Sequence, residues 1–153
     1  MKLNTELVID RSPEALWPWL DDPERMKQWM KGLIEVRATS PGPRGAGSTA
    51  IVVIREGRRD VEYEETFLEY RPGRRLKLRM LGGRLKTMAI EVDYELHDLG
   101  GKTRLAYELA CDLQGPMLKL MSPLFGFFAR MQLRRFFRRL KELAEDEGRL
   151  VTT

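Results

Sequence analysis

The sequence predicts an α+β domain in which an antiparallel sheet is covered on one face by a long C-terminal helix. Three patterns support this fold class. A strand-like alternation at the N-terminus is followed by two helix-start signals; the middle of the chain holds alternating segments separated by glycine-bearing connections; and the chain closes with a long amphipathic segment. This element order is typical of helices packed on one face of an antiparallel sheet.

Length and composition fit one globular domain. The chain has 153 residues, of which 42% are hydrophobic and 33% are charged. A chain of this size can bury its own core, and we assign residues 1–147 to the domain and residues 148–153 to a short C-terminal tail. The sequence has no secretory signal pattern and no apolar run long enough to cross a membrane. The only cysteine, Cys111, suits the reducing cytoplasm, which we expect as the compartment.

The first predicted elements are a strand and two short helices. The segment KLNTELVID alternates apolar and polar residues, as a half-buried strand does. Ser12 followed by Pro13 has the form of an N-cap and a first helical residue, and Asp22 with Pro23 repeats that signal. Gly32 is the predicted stop of the second helix. Two short helices are therefore expected directly after the first strand.

Further strand candidates fill the middle of the chain. Most are separated by short glycine-bearing connections of the length that hairpins use. The longer connection PGPRGAG is a loop by composition, and it lacks the residues and the context of a phosphate-binding fingerprint. With the first strand, these candidates predict a sheet of about six to seven strands. They are LIEVRATS, STAIVVIRE, DVEYEETFLEY, RRLKLRML, KTMAIEVDYELHD and TRLAYELACDL.

The last three strand candidates have one apolar and one charged face. In the final one, Leu105 and Tyr107 alternate with Arg104 and Glu108, and side chains two residues apart share a face. A sheet with one charged face meets water on that side and is covered on the other. The predicted inward residues of these strands are Leu76, Leu78, Met80, Met88, Ile90, Val92, Tyr94, Leu96, Leu105, Tyr107, Leu109 and Cys111.

The C-terminal helix, predicted over residues 117–144, has two apolar faces of different length. A helical wheel places one stripe along the whole segment and a second face along its first half only. Pro123 and Gly126 predict a bend or a break in that first half. The stripe comprises Leu118, Phe125, Ala129, Leu133, Phe136, Leu140 and Leu143, with Phe137 and Ala144 at its edge. The second face comprises Met117, Leu120, Leu124, Phe127, Phe128 and Met131.

A helix that is apolar on nearly all sides needs a cover. Three covers fit the first half of this helix: the two N-terminal helices with their loops, a bound apolar ligand, or a membrane or partner chain. The methionines of this region favour an adaptable pocket wall, because Met tolerates varied partners.

Charge is unevenly distributed along the chain. Residues 1–70 carry a net charge of −3 and residues 71–153 a net charge of +7. Between Met117 and Lys141 there are seven basic residues and no acidic one. Such a cluster is either the solvated face of a helix or an attractor of phosphates and anionic lipid, so an anionic membrane surface is a candidate partner. Nucleic acid is disfavoured, because base stacking needs exposed aromatic rings and these phenylalanines fit a buried stripe.

Four segments in a fixed order carry a family resemblance: VIDRSPEALWPWLDDPERMKQWM, EYEETFLEYRPGRRLKLRM, GGKTRLAYEL and the terminal LKELAE. Together they resemble the START-like or SRPBCC superfamily, the polyketide cyclase/dehydrase and lipid-transport group. The resemblance implies a helix-grip fold, in which a curved sheet wraps around the terminal helix and leaves a cavity. It further implies an apolar ligand such as a lipid, quinone, hormone or polyketide, and in some members cyclisation or dehydration. Fold alone does not choose among these uses.

A ligand in such a cavity would meet the inward side chains of the sheet and the first half of the terminal helix. The residue types are mainly apolar with few polar groups, as small-molecule sites are. Tyr94 and Tyr107 either orient a ligand or bond to each other, since a buried phenol needs a partner. Trp29 is either a core residue or part of the cavity mouth. The predicted ligand-binding residues are Tyr63, Phe67, Met80, Met88, Tyr94, Tyr107, Phe128, Met131 and Trp29.

Glu65 is the candidate for catalytic chemistry. If Tyr63 and Phe67 point inward, the two-residue period places Glu65 on the same face. A carboxyl group facing an apolar cavity has a raised pKa and can act as an acid or a base. Alternatively, a bulge or the opposite register exposes Glu65 to water.

The single histidine and the single cysteine do not form a predicted catalytic pair. His97 continues the charged face of Glu91, Asp93 and Glu95, so we expect it to be exposed, whereas Cys111 points inward. One histidine excludes a multi-histidine metal cage within the chain, and no zinc-ligand spacing occurs. We therefore expect neither a metal nor a cofactor.

Three functions are open hypotheses. The first is binding or transport of a hydrophobic small molecule in an internal cavity. The second is a metal-free enzyme of the cyclase/dehydrase type, in which Glu65 and tyrosines move protons. The third is docking of the basic, Phe-rich terminal helix on an anionic membrane or an acidic protein. The sequence leaves the ligand, the presence of catalysis and the oligomeric state open.

Overall fold

The computed structural model describes residues 1–82, 88–113 and 116–151. Within these ranges the chain forms one seven-stranded antiparallel sheet and four helices. The strands are β1 (Lys2–Ile9), β2 (Leu33–Ala38), β3 (Thr49–Glu56), β4 (Arg59–Arg71), β5 (Arg75–Gly82), β6 (Met88–Asp98) and β7 (Thr103–Leu113). The helices are α1 (Pro13–Asp21), α2 (Pro23–Trp29), α3 (Pro116–Leu120) and α4 (Ser122–Val151).

The sheet order is β1-β7-β6-β5-β4-β3-β2. Strands β2 to β7 therefore form a meander, as short antiparallel connections favour, while β1 closes the edge beside β7. Helices α1 and α2 lie in the connection that carries the chain from one edge strand to the other. This order confirms the predicted α+β helix-grip architecture. The predicted connection between β5 and β6 lies outside the described residues.

Both N-terminal helices begin where the sequence predicts. The Ser12 side chain accepts a hydrogen bond from the backbone N–H of Ala15 at 3.2 Å, and the Asp22 side chain accepts one from the N–H of Glu24 at 3.0 Å. These caps satisfy backbone donors that have no partner within the helix. The second helix ends at Trp29, and Gly32 lies in the turn that follows with a φ of 102°, a conformation that favours glycine.

The two faces of the sheet separate as predicted. On the outer face, the Arg75 guanidinium contacts Asp93 on the neighbouring strand at 2.6 Å and Glu69 at 3.3 Å. His97 is on this face as well, with its side chain 42% exposed. Ion pairs in this setting contribute little to stability, so the main consequence is that this face remains solvated. The inner face carries the buried core residues.

The second half of α4 anchors the helix on the domain. Phe137, Leu140 and Ala144 are buried in the main core. Arg11 donates a hydrogen bond to the backbone carbonyl of Ala144 at 2.9 Å, and Lys141 donates one to the carbonyl of Val8 at 2.7 Å. Helix α4 packs against β1, α1 and α2. Its last turn includes residues 148–151, which the sequence analysis assigned to a tail.

The first half of α4 departs from one prediction. A break separates α3 from α4 at Met121, next to Pro123, as predicted, whereas Gly126 lies inside α4. Phe125, predicted to belong to the buried stripe, is exposed. The stripe is therefore buried only where α4 contacts the rest of the domain. The side chains of Met117 and Leu118, named in the two predicted faces, lie outside the described part of the structure.

Candidate functional site

One row of inward side chains crosses the middle of the sheet. The strand register aligns Ala50, Glu65, Met80, Ile90 and Cys111 from β3 to β7. Ala50, Glu65 and Cys111 are buried, and Met80 and Ile90 are half-buried. We call this set the Glu65 row. It places one carboxyl group among apolar neighbours.

The regular alternation of β4 before its bulge explains why Glu65 points inward. The pairing of β4 with β5 shifts between Phe67 and Glu69. The two-residue alternation is therefore unbroken from Tyr63 through Glu65 to Phe67, and all three side chains are buried. The bulge weighed in the sequence analysis exists, but it comes after Glu65 and leaves Glu65 facing the core.

The Glu65 side chain is largely buried and lines a small cavity. The residue is 7% exposed. Among the described residues, no hydrogen bond and no ion pair reaches its carboxylate oxygens. Burial raises the pKa of Glu65 from its ordinary value of 4.5 to about 7, and the positive charge of Arg44 acts weakly in the opposite direction. The group is therefore present in both its neutral and its ionised form near neutral pH.

Arg44 brings a positive charge close to this carboxyl group. It belongs to the loop between β2 and β3, where its Nη1 donates hydrogen bonds to the backbone carbonyl and, at 3.0 Å, to the carboxylate of Asp21. Its guanidinium carbon lies 5.5 Å from the centroid of the Phe67 ring. Arg44, Glu65 and Phe67 line a small cavity of about 30 Å³ together with residues of β2, β3 and the connecting loop. This space suits about one water molecule beside Glu65.

Two tyrosines lie deeper on the same face. The rings of Tyr94 and Tyr107 meet edge to face, with centroids 5.1 Å apart. The Tyr107 ring also meets the Phe137 ring edge to face, with centroids 4.8 Å apart. Burial raises the pKa of both phenols, and the nearby charge of Glu65 adds to the effect on Tyr94. In the described ranges neither hydroxyl group makes a hydrogen bond. The alternative that these two phenols bond to each other is therefore wrong.

Tyr63 differs from these two tyrosines. Its ring is buried in a smaller cluster with Leu33, Val52 and Val61. Its hydroxyl group donates a hydrogen bond to the carboxylate of Glu56. Tyr63 can therefore contribute apolar ring surface to a ligand, while its hydroxyl group is already bonded within the protein.

Part of the inner face is not fully covered. Met80, Met88, Ile90 and Leu109 point inward yet are only half-buried. Among the strands, β1 is the one that α4 approaches most closely along its backbone, and the half-buried side chains lie on the other strands β5, β6 and β7. Apolar surface therefore stays accessible beside Glu65, where a small molecule can contact it.

The other predicted ligand-binding residues lie elsewhere. Phe128 and Met131 line an open cleft of about 650 Å³ between α2 and α4. Trp29 forms the floor of this cleft: it is buried, stacks on Phe137 with centroids 5.8 Å apart and donates a hydrogen bond to the carbonyl of Trp19 at 2.8 Å. The structure therefore divides the predicted residues between the inner face of the sheet and this outer cleft.

Sequence reasoning missed Arg44. It is the only charged residue in the loop PGPRGAG, and loop residues follow no periodicity that indicates the direction of a side chain. Its position near Glu65 depends on the fold of that loop against α1 and β4. The feature of the sequence that could have indicated Arg44 is the presence of a charged residue within a Pro/Gly-rich loop.

In the described ranges, no three His, Cys, Asp or Glu side chains are placed to hold a metal ion. Within the same ranges, no helix combines the length and the apolarity needed to span a bilayer.

One family model and several relatives match most of this chain. A family model described as polyketide cyclase / dehydrase and lipid transport matches residues 1–145. The chain is 31% identical over 135 residues to a protein of Mycobacterium tuberculosis named as uncharacterized, and equally to one of Mycobacterium bovis. These alignments cover 88% of this chain and 78% of each relative.

Solved structures share the architecture at low sequence identity. TTHA0849 from Thermus thermophilus has a TM-score of 0.74 and 18% identity, covering 94% of this chain and 97% of that one. A conserved protein from Geobacillus kaustophilus has a TM-score of 0.73 and 15% identity, covering 95% and 96% of the two chains. Ara h 8.0201 has a TM-score of 0.70 and 10% identity, covering 94% and 97%. At these identities the likeness supports the fold.

Proposed function

The chain belongs to the polyketide cyclase/dehydrase and lipid transport family, and from this premise we propose that it binds an apolar small molecule on the inner face of its sheet. The observation that carries this proposal is the Glu65 carboxyl group, which lies among apolar side chains and, within the described residues, bonds to no protein group. Its residue is only 7% exposed, so few water molecules can reach it. A ligand that hydrogen-bonds to Glu65 would give this carboxyl group a partner in apolar surroundings.

The surroundings of Glu65 fit a mainly apolar ligand. Met80, Ile90 and Leu109 present accessible apolar surface, and burying such surface contributes about 25 cal/mol per Å². The hydroxyl groups of Tyr94 and Tyr107 are further polar groups on this face that bond to no other described residue. Small-molecule sites usually combine an apolar wall with a few polar groups.

The two protonation states of Glu65 suit different ligand groups. The neutral carboxyl group donates a hydrogen bond, for example to a carbonyl oxygen, and the ionised form accepts one, for example from a hydroxyl group. Because its pKa is about 7, a ligand can select either form near neutral pH at small cost. We therefore expect a ligand with one carbonyl or hydroxyl group on an apolar skeleton.

Titration with N-phenyl-1-naphthylamine, a neutral apolar fluorophore, tests the location of the site. We expect saturable binding that Ile90→Trp and Met80→Trp each weaken at least tenfold, since both substitutions fill the space beside Glu65. Phe128→Ser, which changes the outer cleft instead, is the matched control and keeps the affinity of the wild type. Circular dichroism and thermal unfolding establish that each variant folds.

The opposite pattern, in which Phe128→Ser abolishes binding and the two tryptophan variants retain it, would place the site in the cleft. Absence of any saturable binding would count against the proposal as a whole. Solvent extraction of the protein purified from its native host, followed by mass spectrometry, then identifies the natural compound.

A second candidate function is acid–base catalysis by Glu65. Its pKa of about 7 favours this use, because a group can both take up and release a proton when its pKa lies near the working pH. The reaction would be of the cyclase/dehydrase kind, with a tyrosine hydroxyl group orienting the substrate. Glu65→Gln then abolishes turnover of the extracted compound while leaving its binding within a few-fold. Unchanged turnover in this variant would exclude the catalytic role.

A further inference from the structure

The first half of α4 carries an exposed apolar surface. Leu124, Phe127, Phe128 and Met131 lie on one side of the helix and are all exposed, Phe127 to 64%. Leu120, at the end of α3 just before the break, is 82% exposed. Soluble domains rarely expose several large apolar side chains side by side without a use for them. We call these five residues the apolar end.

A basic cluster follows the apolar end along the same side of the helix. Arg134, Arg135, Arg138 and Arg139 lie three, four, seven and eight residues beyond Met131 and are exposed. Residues at such spacings share a helix face. Seven residues of helix, from Phe128 to Arg135, span roughly 10 Å. Apolar and basic groups are therefore arranged one after the other along the helix axis.

The arginines of this cluster are available for a partner. Among the described residues, Arg139 forms a long ion pair with Glu142 at 3.8 Å, and no acidic side chain pairs with Arg134, Arg135 or Arg138. Lys31 lies across the open cleft from Arg135 and Arg139 and adds positive charge on the α2 side. The positive surface therefore extends over both walls of the cleft.

We propose that this end of the molecule docks on an anionic phospholipid bilayer, with the apolar end inserted at the headgroup–acyl boundary and the arginines at the level of the phosphates. Amphipathic helices with apolar and cationic groups bind membrane interfaces in this way. Each basic residue near an anionic surface contributes to the attraction, and the aliphatic part of an arginine side chain can lie along the apolar layer.

Charge complementarity favours this occupant over a second copy of the chain. A symmetric dimer brings the same patch of both subunits together, so two basic clusters would face each other. Nucleic acid would pair with the arginines but offers no apolar layer to cover Leu120, Leu124 and Met131. A bilayer containing anionic lipid can cover the apolar end with its acyl layer and pair its phosphate groups with the arginines.

Docking does not depend on the proposed ligand function, because the apolar end and the arginine cluster lie apart from the Glu65 row. Phe128, Met131, Arg135 and Arg139 also border the open cleft. Docking would therefore place the mouth of that cleft against the membrane.

Flotation with vesicles in the absence of any ligand tests the proposal. At low ionic strength we expect the protein to bind vesicles of phosphatidylcholine mixed with phosphatidylglycerol, to bind pure phosphatidylcholine far less, and to dissociate as salt is added. Neutralising Arg135, Arg138 and Arg139 to glutamine lowers the partition coefficient by about a hundredfold, at about 1 kcal/mol for each charge. Phe127→Ser with Phe128→Ser also abolishes binding.

The matched control removes the same amount of charge elsewhere. Arg58, Arg59 and Arg74 are exposed at the hairpin ends of the sheet, and their replacement by glutamine leaves vesicle binding within a few-fold of the wild type. A single Phe128→Trp variant adds a direct measure of insertion, because its fluorescence shifts to shorter wavelength when the ring enters the interface.

In the vesicle experiments, three results would overturn the proposal: no binding to the anionic vesicles, an equal loss in the control variant, or binding without a change in the fluorescence of Phe128→Trp. Sedimentation of the protein without vesicles tests the remaining alternative, in which a second copy of the chain covers the apolar end. A stable dimer that Phe127→Ser with Phe128→Ser dissociates would assign the apolar end to a second copy and would likewise overturn docking.

Discussion

At the scale of single residues, Glu65 owes its environment to the position of one bulge. Since the extra residue of β4 lies between Phe67 and Glu69, the alternation keeps Glu65 beside Tyr63 and Phe67 on the inner face. An extra residue on the other side of Glu65 would have turned its carboxyl group to water. The unusual pKa follows from this placement, because burial disfavours the charged form.

The pH dependence of stability tests this environment directly. The pKa of Glu65 is about 7 in the folded chain, above its ordinary value of 4.5, so folded protein holds a proton that unfolded protein releases. Its contribution to stability is therefore complete below about pH 4.5 and is lost as the pH rises through about 7. Relative to the wild type, Glu65→Gln gains up to roughly 3 kcal/mol at about pH 9 and less than about 1 kcal/mol at about pH 5.

Urea unfolding of both proteins at the two pH values measures this difference. Glu64→Gln is the matched control, because Glu64 is exposed on the opposite face of the same strand, and its effect stays the same at both pH values. A pH-independent effect of Glu65→Gln would mean that the Glu65 carboxyl group is solvated.

At the scale of secondary-structure elements, α4 has two halves with different roles. The second half is held by buried side chains and by hydrogen bonds from Arg11 and Lys141. The first half exposes Leu124, Phe127 and Phe128. The break at Met121 separates this half from α3.

The same substitution in the two halves separates these roles. Leu140 is fully buried, so Leu140→Ala leaves a cavity and costs about 2–5 kcal/mol of unfolding free energy. Leu124 is 53% exposed, and Leu124→Ala changes stability by less than about 0.5 kcal/mol. Chemical denaturation of both variants gives the two values. A cost above about 2 kcal/mol at Leu124 would show that this residue is buried in solution.

At the scale of the whole molecule, the sheet and the second half of α4 form one core, while the first half of α4 contributes little to it. Local stability follows the density of buried contacts. The domain therefore combines a rigid scaffold with one end whose apolar side chains are available for binding.

Hydrogen exchange maps this division. We expect amides of α4 before Met131 to exchange at least about a hundredfold faster than amides after Phe136, because opening the first half disrupts few contacts. Vesicles containing anionic lipid slow exchange in the first half if docking occurs. Uniform protection along the helix would contradict the two-part description.

Much of the fold could be predicted because its signals are local. Caps such as Ser12 and Asp22 act within one helical turn, and the two-residue alternation of β5 to β7 distinguishes the inner from the outer face without knowledge of the partner strands. The site was less predictable. The position of Arg44 depends on a loop folding against α1 and β4, and the register of β4 depends on where its bulge lies.

The amino-acid pattern by itself determined the order of strands and helices, the charged outer face of the sheet and the two apolar faces of the terminal helix, since each follows from periodicity and capping along the chain. Only the tertiary structure decided that Glu65 lies largely buried among apolar side chains and that Phe128 and Met131 face an open cleft. Both outcomes depend on how distant segments approach each other, and a linear pattern of residues does not specify that distance.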